Sequence, residues 1–179
     1  MKHYIQTILF FVIVQTFAYA NAPKPVDFVD PKKFSGLWYE LARTYNSFEK
    51  DCVGSTVEYT PTSKLVYSVK NRCFEKDFSS KTIEYNGTAV PLDGNNFSQI
   101  KKTYFWIFSS TYRLIYLNDN YTLAIMTDEE MEHVWIMSRK AIIKKEKLEK
   151  LTIWLSNYMN INRLIYTPQK PQGDTNESR

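Results

Sequence analysis

Between residues 36 and 139, apolar and polar positions alternate with a period of two in a series of short runs. The runs are 36–44, 53–60, 64–73, 81–90, 97–105, 112–117, 121–127 and 133–139. Tyr, Val, Ile, Thr and Phe recur in them, the residue types that suit a pleated, half-buried surface. Turn formers stand between them at Pro61-Thr62-Ser63, Leu92-Asp93-Gly94-Asn95 and Asn118-Asp119-Asn120. Eight such runs at short spacing predict an all-β antiparallel meander, hence a sandwich or barrel. One segment changes period. In 144–160, Leu148, Leu151, Leu155, Tyr158 and Met159 recur at steps of three and four, which predicts a single helix. Lys144, Lys145 and Lys147 crowd its first turns and no Ser or Asp cap precedes it. Such a helix must be held by packing on the outside of the sheet. A ninth short strand is expected at 163–166.

The ends read differently. Residues 8–14 are a continuous apolar run, ILFFVIV, after a short polar start, and Ala18-Tyr19-Ala20 offers small residues for cleavage. Residues 1–20 therefore read as a secretory signal peptide, too short to span a bilayer. No Cys follows the run, so no lipid-modified N-terminal Cys is expected. The expected organisation is a proline-punctuated N-terminal segment at 21–33, one barrel domain at 34–167 and a disordered polar tail at 168–179.

Composition narrows the chemistry. The chain has 179 residues, and 13 Tyr, 11 Phe and 4 Trp make 16% of it aromatic. Its five glycines are isolated, so no glycine-rich phosphate cradle can be built. A net charge of +4 is too weak to argue for nucleic acid. The exported chain would keep one histidine, His133, and no GxSxG elbow exists to place a nucleophile. Two cysteines alone cannot complete a zinc site. The expectation is a protein that is not an enzyme, with no catalytic residue, no metal and no cofactor. Four Asn-x-Ser/Thr sequons, at Asn86, Asn96, Asn120 and Asn176, matter only in a eukaryotic host.

The cysteines predict a staple. If the strands around residues 61–64 pair with Thr60 opposite Leu65, the same register sets Cys52 directly across from Cys73. A disulfide is then geometrically feasible, and an exported chain would keep it.

At Gly36-Leu37-Trp38-Tyr39-Glu40-Leu41-Ala42-Arg43, preceded by Phe34, the chain resembles the first strand of the lipocalin family. Val134-Trp135-Ile136-Met137-Ser138-Arg139 resembles that family's last strand. Together they resemble the bacterial lipocalin and apolipoprotein D branch, over about 26–167. The resemblance implies an eight-stranded up-and-down β-barrel with one C-terminal helix packed outside. It also implies that Arg139 covers Trp38 in a cation–π contact, with Gly36 part of the same structural motif. One departure stands out: in Leu117-Asn118-Asp119-Asn120-Tyr121, Asn118 occupies a position where the family usually has Asp.

In an up-and-down barrel alternate connections share an end. Trp38, Arg139 and the turns at 60–64, 91–96 and 118–120 then form a closed floor. The loops at 45–52, 74–80, 106–111 and 128–132 form the mouth. Alternation nominates Glu40 and Ala42 as pocket walls beside Trp38, with His133, Trp135 and Met137 on the face of Arg139. Tyr112, Leu114 and Tyr116 on one strand, and Tyr121, Leu123 and Ile125 on the next, are also expected to face inward.

The resemblance implies a carrier of a fatty acid or lysophospholipid for lipid storage or transport in membrane maintenance, and dimers. The other readings are a carrier of another small apolar ligand, such as a pigment or defence molecule, and a barrel enzyme. Trp106 and Phe108 at the mouth form an apolar patch that suits contact with a membrane surface. Location follows the host: periplasmic or outer-membrane-associated in a bacterium, secreted otherwise.

Overall fold

A computed structural model describes residues 22–75 and 82–169. The expected signal peptide, residues 76–80 of one mouth loop with residue 81 of the next run, and most of the expected tail lie outside the described residues. The chain enters across one end of the barrel. Val26 N–H donates to the Leu114 carbonyl and Phe97 N–H to the Val29 carbonyl. A one-turn helix α1 (Pro31–Phe34) follows, capped by Asp30, whose carboxylate accepts from the amides of Lys32 and Lys33. The Asp-Pro pair before Lys-Lys is a local start signal for it, with proline's fixed φ suited to the first helical position.

Eight strands then run up and down: β1 (Gly36–Arg43), β2 (Cys52–Pro61), β3 (Tyr67–Glu75), β4 (Thr82–Asp93), β5 (Asn96–Tyr104), β6 (Phe108–Leu117), β7 (Leu123–Thr127) and β8 (Val134–Ser138). Neighbours pair antiparallel, and β1 pairs both β8 and β2, which closes the barrel. Closure removes the free sheet edges that would otherwise template aggregation. The helix α2 (Lys145–Leu155) and a short strand β9 (Ile165–Tyr166) complete the order. The floor half of β1, Gly36–Tyr39, pairs with β2, whereas Ala42 and Arg43 pair with β9. The C-terminal strand thus takes the edge of β1 that β2 leaves as it diverges.

Two apolar cores lie on opposite faces of the sheet. The inner one holds Phe34, Trp38, Tyr59, Phe97, Ile100, Leu114 and Met126. The outer one joins Leu41, Ile115, Ile125, Val134 and Ile136 to Leu151, Leu155 and Met159 of the helical segment. No side chain caps α2 at Lys144, as its sequence implies, and Leu151, Thr152 and Leu155 are its buried residues. Tertiary packing holds this helix where its terminus does not.

Four expected orientations are corrected by irregularities in or just before the strands. Ala42 was expected inward, but the β1–β8 register shifts between Glu40 and Ala42. The extra residue puts Leu41 and Ala42 both in the outer core and returns Arg43 to the inside, beside Glu40. Tyr116 was expected inward, but a second shift between Leu114 and Tyr116 places Ile115 in the outer core and turns Tyr116 onto Trp154 of α2, 5.6 Å between rings. A bulge of this kind resets the period-two alternation. Leu123 and Ile125 were also expected inward and lie in the outer core, while Ala124 and Met126 face the lumen. Tyr121 has φ 55° and breaks the chain before β7, so the face of Tyr121 does not carry through to Leu123.

The expected register between β2 and β3 is also wrong, although the disulfide is present. Thr60 pairs with Ser68 and Ser55 with Cys73, three residues from the expected pairing, because the hairpin loop is longer. After a register shift between Cys52 and Gly54, Cys52 pairs with Glu75, and the disulfide reaches from it to Cys73 with a Cα–Cα distance of 5.3 Å.

Candidate functional site

The floor is sealed by α1 and two motif residues. The Arg139 guanidinium carbon sits 3.9 Å from the Trp38 ring centroid. Its Nη1 donates to the Leu37 carbonyl at 2.8 Å, and Nη2 faces the carbonyls of Lys33, Phe34 and Ser35, each at 2.8 Å. Trp38 Nε1–H donates to the Phe34 carbonyl at 2.9 Å. Gly36 has φ +95°, and a Cβ there would stand 3.4 Å from Arg139 Nη1, so glycine fits both the backbone and the space. In the neighbouring turn, Asn118 Oδ1 accepts from the amides of Thr122 and Leu123, both at 2.8 Å. Asn serves this turn as a carboxylate would, and its Nδ2–H adds a bond to Thr122 Oγ1 at 2.9 Å.

Above this floor lies a cavity of about 630 Å³ that opens at the other end of the barrel. Its walls include Glu40, Val57, Lys102, Tyr104, Tyr112, Met126, Trp135 and Met137. Its rim carries Phe48, Tyr85, Phe105 and Phe108 together with Asp128, Glu129, Glu130 and His133. The structure therefore brings five expected wall residues to one cavity: Glu40, Tyr112, His133, Trp135 and Met137. Leu114 faces inward but is packed into the core beneath, and Ala42, Tyr116 and Leu123 are elsewhere. His133 is a rim residue: its Nδ1 is 2.7 Å from Asp128 Oδ2, and its ring stacks on Trp135 at 6.1 Å.

A buried polar group lies on one wall. Arg43 Nη1 donates to Glu40 Oε1 at 3.1 Å, and Thr167 Oγ1–H donates to the same oxygen at 2.6 Å. Glu49, from the β1–β2 loop, accepts from Trp135 Nε1 at 3.1 Å and from Ser55 Oγ at 2.7 Å, and also from Asn46. Burial, then the Glu49 charge, push the Glu40 carboxyl well above its usual range, against the pull of Arg43. Burial also acts to raise Glu49, but the bonds from Trp135, Asn46 and Ser55 outweigh it and hold Glu49 below the usual range. Environment thus separates two neighbouring carboxyls, Glu40 towards the acid and Glu49 towards the carboxylate.

Lys102 was not among the expected site residues. Its ammonium lies 4.8 Å from the Tyr112 ring centroid, 5.3 Å from Tyr59 and 5.9 Å from Trp135. Burial lowers its pKa from 10.5 to about 8, with Glu49 opposing. The signal was present in the alternation Ile100-Lys102-Tyr104, which puts all three on the inner face. Among the described residues, no group of three or more His, Cys, Asp or Glu is placed to hold a metal ion.

A closed up-and-down barrel of eight antiparallel strands, sealed at one end by a Trp–Arg pair and hollow towards the other, defines a class of small-ligand-binding folds. The chain belongs to the lipocalin-like domain family, whose pattern it matches over residues 29–169. It is 29% identical over 149 residues to the outer membrane lipoprotein Blc of Vibrio cholerae, covering 82% of this chain and 86% of the relative. It is 25% identical over 159 residues to apolipoprotein D of Macaca fascicularis, covering 84% and 82%. The bilin-binding protein of Pieris brassicae is 28% identical over 156 residues, covering 80% of each chain. Among solved structures, insecticyanin from the tobacco hornworm Manduca sexta superposes with a TM-score of 0.68 at 18% identity, covering 85% of this chain and 87% of that one. That last likeness speaks to the fold alone.

Proposed function

We propose that this protein is an exported carrier that holds one single-chain lipid, a fatty acid or a lysophospholipid, inside the barrel. The observation that carries this reading is the cavity itself: about 630 Å³, one mouth, and walls that combine rings with Met126 and Met137. Flexible thioether chains and rings adapt to an acyl chain with few directional demands. The similarity to a bacterial outer membrane lipoprotein and to apolipoprotein D supports a task in lipid storage or transport for membrane maintenance. It also supports export, with residues 1–20 as the signal peptide, 34–167 as the working domain and 168–179 as a tail. At the mouth, Trp106 is 96% exposed between Phe105 and Ile107, and with Phe108 it forms the patch that would touch a membrane surface during loading. The barrel works by binding rather than by catalysis in this reading, as a monomer or a homodimer.

Native mass spectrometry of the purified protein, with lipid extraction, tests the reading together with a titration of Trp fluorescence by oleate and lysophosphatidylcholine. One bound lipid and a response saturating near one ligand per barrel are expected. Trp135→Phe should lose most of the response while keeping the fold. A copurified coloured compound with no lipid response would move the assignment to a pigment carrier, the role that the name of the Pieris relative suggests. Absence of both lipid and response would end the lipid reading.

A further inference from the structure

The cations on the cavity wall are not equally partnered. Arg72 is held by Glu58 and Glu84, each at 3.0 Å, and His133 by Asp128. Arg43 lies between Glu40 and Glu49. Of the cationic residues that line the cavity, Arg72, Lys102 and His133, Lys102 alone has no carboxylate within 4.0 Å among the described residues. Its neighbours are the faces of Tyr59, Tyr112 and Trp135. Rings stabilise a cation but do not neutralise it. Glu49 carries a negative charge into the same cavity, but its oxygens already accept from Trp135, Asn46 and Ser55, and Arg43 Nε stands 4.0 Å from it. Glu40 is held towards its neutral acid by burial. Lys102 is thus the buried cation on this wall that no carboxylate meets directly.

Depth matters as much as charge. The Tyr59 ring next to Lys102 packs on Phe34 and Phe97 of the floor, 5.5 Å from each. The ammonium is therefore at the inner end of the cavity. The mouth has the opposite character. Asp128, Glu129 and Glu130 line it, and so do Phe48 and Tyr85, 6.0 Å apart, with Phe105 and Phe108. An acid group left at the mouth would meet three carboxylates, whereas a hydrocarbon end there would meet rings.

We infer that Lys102 binds the carboxylate of the ligand, so that a fatty acid sits head-first, its acid group among Tyr59, Tyr112 and Trp135 and its chain end at the mouth. This rests on the carrier reading and deepens it: the preferred ligand is a long-chain monocarboxylate, and an uncharged or zwitterionic amphiphile of equal length is disfavoured. The contact is an ammonium–carboxylate pair in a buried site, stronger there than in water.

The test uses the full exported chain with Trp106→Phe, which removes the exposed mouth fluorophore. Stearic acid labelled with a nitroxide at carbon 5 or at carbon 16 is titrated against Trp135 fluorescence. The carbon-5 label should quench more strongly at saturation. In parallel, oleate and oleyl alcohol are compared on wild type, Lys102→Met and Lys102→Arg. Wild type should prefer oleate at least tenfold, Lys102→Met should lose that preference, and Lys102→Arg should keep most of it. Stronger quenching from carbon 16, or an unchanged oleate preference in Lys102→Met, overturns the head-first placement while leaving a lipid carrier standing. Tight lysophosphatidylcholine binding with no preference for oleate overturns the monocarboxylate assignment in the same way. A wild type that binds none of these ligands defeats the carrier reading and this inference together. The nitroxide comparison needs no change at Lys102, so a misfolded Lys102→Met leaves the placement open to refutation.

Discussion

The guanidinium of Arg139 covers the ring of Trp38 at 3.9 Å and at the same time reaches the carbonyls of α1 and its flank. One side chain thus binds the last strand, the first strand and the helix that seals the floor. Burial lowers its pKa to about 10, so it is charged at neutral pH and can serve both contacts. Trp38→Ala removes a fully buried ring from the centre of the inner core and should cost about 3–5 kcal/mol. Arg139→Lys should also lower stability, since one ammonium cannot stack on the ring and also span several carbonyls. Urea melts of the three proteins measure this; a Trp38→Ala midpoint equal to wild type would remove the floor from the account of stability.

The second prediction concerns the disulfide. Cys52 and Cys73 are 21 residues apart and bonded, and no free cysteine accompanies them. Closing a loop of that order restricts the unfolded chain by roughly 3 kcal/mol. The exported protein should therefore show no titratable thiol when denatured without reductant, and Cys52→Ser/Cys73→Ser should lower the melting midpoint without changing the number of strands. Two reactive thiols in fresh protein would contradict the bond.

The third concerns Glu49, which ties the loop after β1 to the wall through Trp135 and Ser55. Glu49→Gln replaces one accepting oxygen by an amide that donates towards donors. The cost should be about 1–3 kcal/mol, with faster amide exchange at residues 45–51. The native pKa of Glu49 is depressed. Its contribution is then present above the carboxyl pKa of the unfolded chain, about 4.3, and is lost as pH falls through the lower native value. Wild type and Glu49→Gln should converge in stability at acid pH; a constant gap would mean that Glu49 acts by shape and not by charge.

How the chain could be read in advance varies from residue to residue. The strands, the helix and the Trp38–Arg139 floor follow from period and motif, because each is written in a contiguous stretch. The faces of Ala42 and Tyr116 do not, because each lies just past a register shift that only the paired strand reveals. Alternation places Glu40 and Trp135 correctly up to such a shift and fails directly after it. The disulfide was expected through a wrong register, since the loop length that sets pairing is not marked by its residues. Lys102 was legible as the middle of Ile100-Lys102-Tyr104, but a lysine in an apolar series reads as a break. Only the rings around it explain its position.

The last prediction follows from that position. The pKa of Lys102 is about 8 in the folded chain against 10.5 ordinarily, because burial disfavours the charged form. Between these values the unfolded chain binds more protons than the folded one, so stability rises as pH increases through that window. The penalty is fully present below pH 8 and is on the order of 3 kcal/mol. Burial raises the pKa of Tyr59 and of Tyr112, so these neighbours keep their protons while Lys102 loses its own. Lys102→Met should therefore be more stable than wild type at pH 7, and the advantage should shrink by pH 9.5. Chemical denaturation of both proteins, stripped of lipid, at the two pH values gives the difference directly, and taking that difference cancels the titrations they share. Addition of oleate at pH 7 should stabilise wild type more than Lys102→Met, since a bound carboxylate supplies the missing partner. If the lipid-free difference is the same at both pH values, Lys102 is not a desolvated cation. If oleate stabilises both proteins equally, its carboxylate is not on Lys102.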